Sequence, residues 1–345
     1  MLCQEFFEKF LFCAPNSWTS ILERKNLMEK LKKNDDCKFK VSIVIPTFNN
    51  EEYILDALES VINQSYKNIE IVVVDDGSTD GTQYALEKYK NKIKYIYQKN
   101  RGVSAARNKG ISVSTGDFIC FLDSDDIFEK NKIEKQLKIH KENEQLCVSY
   151  TDMAIFNGGK NFEKSYHKKN NMNCQSGFIF KNVVLGNIIS TITVMIKREV
   201  FNNVGLFDES LNIGEDYDMW LRIASQYEVG YVPEVLSFYR RGHQSLTTRK
   251  PTSTFREPVL VSIIKKHLAL NKDLKKQIPI VKLRRRLFQP YFDSGWSQYH
   301  AGNFFLSFNY FKAGLRYWPL NLKTYFYCIA CLVGNYLNKN KIMKK

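Results

Sequence analysis

Between residues 41 and 122, short apolar runs recur, and each runs out into polar or acidic residues. Val41-Ser42-Ile43-Val44-Ile45-Pro46 gives way to Thr47-Phe48-Asn49, and Ile69-Glu70-Ile71-Val72-Val73-Val74 to Asp75-Asp76-Gly77-Ser78. Ile93 to Tyr97 is a third run; Asp117 to Leu122 is a fourth and closes on Asp123-Ser124-Asp125-Asp126. Runs this short and rich in β-branched residues read as buried strands. The segments between them, 51–63, 79–90 and 102–114, read as helices, with Ser78, Thr79 or Asp80 available to cap the second. Strand and helix alternate at about thirty residues per βαβ unit, which predicts an α/β fold with a mostly parallel sheet flanked by helices. Ligands of such sheets bind beyond the carboxyl ends of the strands, where the polar motifs fall.

The acidic run at 123–126 stands out. Three carboxylates within four positions repel one another, and each resists burial. A divalent cation, which prefers hard oxygen ligands, relieves that cost. A solvated turn leading into a helix N-cap is the competing reading, since Asp favours such positions.

Beyond 122, helix is expected over 131–145, strand over 147–155, a polar loop or hairpin over 157–175, strand over 189–197, a helix entered through acids over 214–224 and strand over 231–239. After residue 250 the strand patterns stop, and three or four amphipathic helices cover the remainder. The division is a mixed-charge helical extension (1–38), an α/β body (39–250) and a basic helical region (251–345). Of the net charge of +15, residues 251–345 supply +14, with 17 Lys/Arg against Glu257, Asp273 and Asp293. Eight cysteines show no paired framework, and Cys328-x-x-Cys331 lacks a second pair or a nearby His, so reduced thiols in a cytoplasmic setting are expected. The first residues carry no basic, apolar leader pattern, and no run approaches the ~20 apolar residues that span a bilayer.

Five signals together resemble the family 2 glycosyltransferases, inverting enzymes of the GT-A (Rossmann-like) fold in the nucleotide-diphospho-sugar transferase superfamily. They are Val44-Ile45-Pro46-Thr47-Phe48-Asn49, Val74-Asp75-Asp76-Gly77-Ser78-Thr79-Asp80, Asn100-Arg101-Gly102-Val103-Ser104-Ala105-Ala106-Arg107-Asn108, Asp123-Ser124-Asp125, and Gly214-Glu215-Asp216. The resemblance runs from about Val41 to Thr247. It implies a metal-dependent, hexosyltransferase-type enzyme that moves a sugar from a nucleotide-diphosphate donor, commonly UDP-linked, and uses Mn²⁺ or Mg²⁺. Carried over residue by residue, it places Pro46, Thr47, Asn49, Glu51, Asp75, Asp76, Arg107, Asp123 and Ser124 around the donor. Asp125 becomes the first metal ligand, with Asp123 on the ribose or on the metal through water. Asp126 is either a second ligand or the cap of the next helix. An acceptor hydroxyl needs a general base; Asp216 matches the family's catalytic acid, with Glu215 supporting it. Asp218 and Trp220 read as structural. Arg240 and His243 fall where the family places a basic residue and a His near the diphosphate or metal. Here Gly242 precedes His243, a departure from the commoner Arg-His order that leaves open which side chain reaches the phosphates.

The resemblance further implies a saccharide or lipid-linked acceptor in surface polysaccharide or glycoconjugate synthesis. The apolar, aromatic stretch Tyr325 to Val333, followed by Lys339, Lys341, Lys344 and Lys345, fits peripheral contact with the inner face of the plasma membrane. Packing of those residues on the body is the alternative. An inactive nucleotide-sugar binder of the same fold conflicts with the intact acidic motifs. A nucleic-acid binder using Arg284-Arg285-Arg286 conflicts with the neutral body, and a nucleotidyltransferase gives no reason for Glu215-Asp216; no nucleic-acid partner is expected.

Overall fold

The computed structural model describes residues 38–157, 165–241 and 257–343, the last with side chains to Leu337. The N-terminal extension, apart from Lys38, and His243 lie outside the described residues.

Strands β1 (Val41–Thr47), β2 (Ile69–Asp75), β3 (Lys94–Tyr97) and β4 (Phe118–Phe121) pair in parallel in the order β3-β2-β1-β4. Strands β5 (Ile127–Phe128), β6 (Val148–Phe156), β7 (Met195–Lys197) and β8 (Val229–Arg240) extend the sheet as β7-β6-β8-β5. β6 and β8 are parallel, whereas β7 runs antiparallel to both β4 and β6, and β5 antiparallel to β8. The order reverses around β1, because β2 lies on one side and β4 on the other. That leaves a crevice beyond their carboxyl ends, the usual ligand position in open α/β sheets.

The period-2 pattern of β1 sorts its side chains to two faces. Val41, Ile43 and Ile45 pack with Ile54, Leu58 and Val61 of α1 (Ile54–Ile62) and with Ile133 and Leu137 of α4 (Lys132–Glu142). Val44, with Val72, Val74 and Phe121, faces the other core, which includes Ala106 and Ile111 of α3 (Val103–Val113). Helix α2 (Thr82–Leu86) lies between β2 and β3 in the chain and is shorter than the pattern predicts, breaking into a 3₁₀ turn over Glu87–Tyr89. The strand expected over 189–197 forms only at Met195–Lys197. The Thr193 carbonyl instead takes bonds from Lys132 Nζ (3.1 Å) and Gln136 Nε2 (3.0 Å), which diverts it from a ladder.

Short helices α5 (Tyr166–Lys169), α6 (Phe180–Leu185) and α7 (Val200–Val204) precede α8 (Glu215–Ala224). α9 (Val259–Leu270), α10 (Lys272–Lys276), α11 (Ile280–His300), α12 (Phe304–Leu315) and α13 (Leu322–Met343) form the helical C-terminal region. Val261, Ile264, Leu283 and Leu287 share one core with Trp220 and Phe121, so α9 and α11 pack on the sheet through α6 and α8. Asp218 of α8, read as structural from the sequence, is buried and accepts bonds from Arg222 Nε, Lys266 Nζ and His267 Nε2, each at 2.9 Å. No helix of the described residues is long and apolar enough to cross a membrane.

Candidate active site

The carboxyl ends of β1, β2 and β4 converge. Thr47 pairs in register with Asp75, the Asp76 amide donates to the Thr47 carbonyl (2.8 Å), and the Leu122 amide donates to the Val44 carbonyl (3.0 Å). Asn50, one residue past the predicted Asn49, donates through Nδ2 to Ser124 Oγ at 2.6 Å, closing the crevice between the first loop and the acidic turn.

Around β2, the two adjacent aspartates divide their work. Asp75 is fully buried; it accepts from the Ser78 amide (2.7 Å) and the Tyr95 hydroxyl (2.7 Å) and so shapes the turn. Asp76 accepts from Gln98 Nε2 (2.7 Å) and from the amides of Arg101 (2.9 Å) and Gly102 (2.7 Å), just ahead of α3. Gly77 sits at φ 87°, a left-handed conformation open to glycine, and lets the chain turn straight after both carboxylates. On the facing loop, Asn49 Oδ1 accepts from the Thr79 amide (2.7 Å), and Glu51 Oε2 accepts from the Gly81 amide (2.6 Å). Glu51 therefore stabilises the entry to α2 rather than its own helix, which starts only at Ile54. Pro46 is buried within β1. Thr47 is buried with its hydroxyl unpartnered, at the mouth of the crevice.

The centre of the arrangement is Arg107. One turn into α3 it is buried, yet its guanidinium spans two acids: Nη2 to Asp123 Oδ1 at 2.8 Å and Nη1 to Glu215 Oε1 at 2.9 Å. Its plane lies near the Phe207 ring, 5.5 Å away. Burial works against its charge, but Asp123 and Glu215 outweigh it and hold Arg107 protonated. Residues from three distant stretches, 107, 123 and 215, are thus locked into one fork. Gly214, at φ 81°, turns the chain into α8 so that Glu215 and Asp216 occupy its first turn, where the helix dipole favours acids. Asp216 lies beside Arg107 with its Oδ1 on the Tyr217 amide (2.7 Å). Burial and the adjoining Glu215 push its carboxyl up to about 6, against the opposing pull of Arg107.

The acidic turn behind Arg107 is built by Arg240. Its amide donates to Asp126 Oδ1 (2.8 Å), its Nε to the Asp125 carbonyl (2.8 Å) and its Nη2 to Asp56 Oδ2 (2.8 Å), with its guanidinium over the Tyr53 and Phe156 rings. Asp126 is completely buried, and its Oδ2 has no partner. Burial, then Asp125 and Asp123, raise its pKa well above the ordinary carboxylate value. It caps no helix: Asn131 precedes α4, so the cap reading of Asp126 is corrected. Asp123 and Asp125 remain partly exposed. Among the described residues no group of three His, Cys, Asp or Glu converges as a metal cage. Trp220 is fully buried in the core, as its structural reading expects.

Sequence reasoning missed Asn50, Asp56, Gln98 and Phe207. Each acts only through a contact made by folding, and no local pattern marks it. A cavity of about 340 Å³ at the opposite ends of the strands, lined by Phe39, Asp117, Phe118 and Lys197, takes no part in this arrangement.

The profile of glycosyl transferase family 2 matches residues 42–205. The chain is 37% identical over 240 residues to an uncharacterized glycosyltransferase of Rickettsia conorii, covering 69% of this chain but 37% of that protein, so it spans little more than a third of that relative. It is 32% identical over 216 residues to TuaG of Bacillus subtilis, a candidate teichuronic acid biosynthesis glycosyltransferase, covering 61% of this chain and 82% of TuaG. Among solved structures, S. aureus TarS 1-349 in complex with UDP-GlcNAc superposes with a TM-score of 0.59 at 21% identity, covering 81% of each chain, a likeness of fold. With its sheet, its motifs in order and these relatives, the chain belongs to glycosyl transferase family 2.

Proposed function

We propose that the protein transfers a sugar, with inversion, from a UDP-linked donor to a saccharide or lipid-linked acceptor in surface polysaccharide synthesis. The observation that carries this reading is the Arg107 fork, which joins the acidic turn at Asp123 to Glu215-Asp216 at the start of α8. The name of TuaG and the UDP-GlcNAc bound to TarS support the polymer class and the donor. The α/β body from 39 to 250 is taken as the catalytic unit.

The donor lies in the crevice beyond β1, β2 and β4, its base toward Asp76 and its diphosphate toward Asp123 and Asp125. The residues fit a divalent cation. Mg²⁺ and Mn²⁺ accept one or two protein carboxylates when phosphate oxygens complete the shell, and a buried carboxylate oxygen without a hydrogen-bond partner, Asp126 Oδ2, lies in the same turn. Asp125, Asp123 and His243 would hold the ion, which offsets charge on the departing diphosphate. Asp216 takes the proton of the acceptor hydroxyl as that oxygen attacks the anomeric carbon. Its raised pKa makes it a better base than an ordinary carboxylate while leaving it mostly ionised at neutral pH. Glu215, held by Arg107, keeps Asp216 in register and does not itself need to exchange a proton.

A thermal-shift series of nucleotide sugars with and without Mn²⁺ tests the reading. A UDP-sugar at about 100 times its Kd should stabilise the native state by about 2.7 kcal/mol, raising Tm by about 4 °C for a chain of this length, and Asp125→Ala should abolish the Mn²⁺-dependent part. No shift with any UDP-sugar, or an equal shift in the variant, defeats it. Asp216→Asn should bind donor normally and lose transfer; retained turnover removes it as base.

A further inference from the structure

We propose that α13 docks the protein flat on an anionic lipid surface. The helix has two faces of different fate. Thr324, Cys328 and Cys331 are buried, and the Cys331 thiol reaches Ser307 Oγ of α12 at 3.2 Å. The inner face is therefore already satisfied. On the outer face, Tyr325, Phe326 (64% exposed), Ile329 (63%), Leu332, Val333 and Tyr336 (67%) recur every three or four residues. They form a continuous apolar stripe of more than three turns in contact with water. An apolar patch of this extent marks an interaction surface, and over its described residues the helix is not long and apolar enough to cross a membrane.

Charge selects the occupant. Residues 251–345 hold 17 Lys/Arg against three acids. Exposed Lys323 lies at the near end of the stripe, with its ammonium 5.5 Å from the centres of the Phe292 and Trp296 rings, while Lys339, Lys341, Lys344 and Lys345 follow in sequence. A second copy seated on the stripe would oppose two strongly cationic surfaces, since a two-fold interface brings the same patch against itself. A bilayer rich in anionic headgroups matches both the apolar stripe and the surrounding charge. This inference rests on α13 and not on the transferase reading, so neither test decides the other.

The full chain is to be sedimented with vesicles of phosphatidylglycerol and phosphatidylcholine, and with phosphatidylcholine vesicles alone. Binding to the anionic vesicles should be at least about tenfold tighter and should weaken steeply in about 0.5 M salt. Phe326→Asp with Ile329→Asp alters only exposed side chains; it should leave the melting curve unchanged and abolish sedimentation. Val333→Asp, read the same way, guards against a folding defect in the double variant. Failure of the unaltered protein to sediment, or undiminished sedimentation of folded variants, overturns the proposal. So does a dimer, split by the same substitutions, in a protein that ignores vesicles.

Discussion

A buried arginine that forks between two acids cannot be exchanged for another cation without loss. Lysine at 107 carries the charge but presents a compact ammonium, not a planar fork, and cannot hold Asp123 and Glu215 in the same geometry. Losing one hydrogen bond to a charged group costs about 1.5–3 kcal/mol. Arg107→Lys should therefore lower kcat/KM for sugar transfer by about 10- to 100-fold; an unchanged value would show that the fork does not position Glu215-Asp216. Asp216 makes the second residue-scale prediction. A base must be deprotonated, and burial together with Glu215 pushes this carboxyl up to about 6. The kcat/KM profile should be flat above that pH and fall about tenfold per unit below it. In Asp216→Glu, any remaining activity should show a shifted acid limb; an unmoved limb assigns the titration elsewhere.

At the scale of elements, the site depends on how closely α3 approaches β1. A Cβ built on Gly110 would lie 2.2 Å from Val44 Cγ1, well inside contact distance, so only glycine allows Arg107 to reach the strand ends. Gly110→Ala gains about 1 kcal/mol of helix propensity but overpacks a core whose adjustment costs about 1–3 kcal/mol. The contact is so short that the cost prevails, and denaturant unfolding should show a net loss of about 1–2 kcal/mol. The junction of α8 with α9 makes a separate prediction. Burial alone would raise the Asp218 carboxyl, but the bonds from His267 and Lys266 and the charge of Arg222 lower it below the ordinary value. A carboxylate lowered in the folded state contributes stability above its unfolded pKa of about 4, and that stability is lost as pH falls toward the folded value. Asp218→Asn should be less stable than the parent at pH 7, by about 1–3 kcal/mol, and the two should converge on acidification. Lys266 is half-exposed and screened, so most of the difference comes from His267 and Arg222.

Across the described residues, one core joins the sheet to the C-terminal helices, so the α/β body and the basic region are packed together and not merely tethered. The sequence by itself determined the strand–helix alternation, the strand ends that carry acids and the family, because hydrophobic period and turn chemistry are local properties of the chain. It also marked Asp75, Asp76, Asp123 and Asp216, which close strands or open a helix, and Arg107, one turn into α3, each within a recognisable motif. Only tertiary structure decided what those residues hold. That Arg107 joins Asp123 to Glu215, that Arg240 binds the acidic turn and Asp56, and that Glu51 serves α2 depend on contacts between stretches 16 to 184 residues apart. In the mixed half of the sheet, strands were read where β6, β7 and β8 fall, but not their directions, nor β5. β7 and β5 are too short for a period to show, and their direction is set by the neighbours available for backbone pairing. Composition marked Tyr325 to Val333 as an apolar, aromatic stretch ahead of lysines. Which face α12 would cover, and which would remain in water, became known only when the helices were packed, because burial is a property of the pair and not of either sequence.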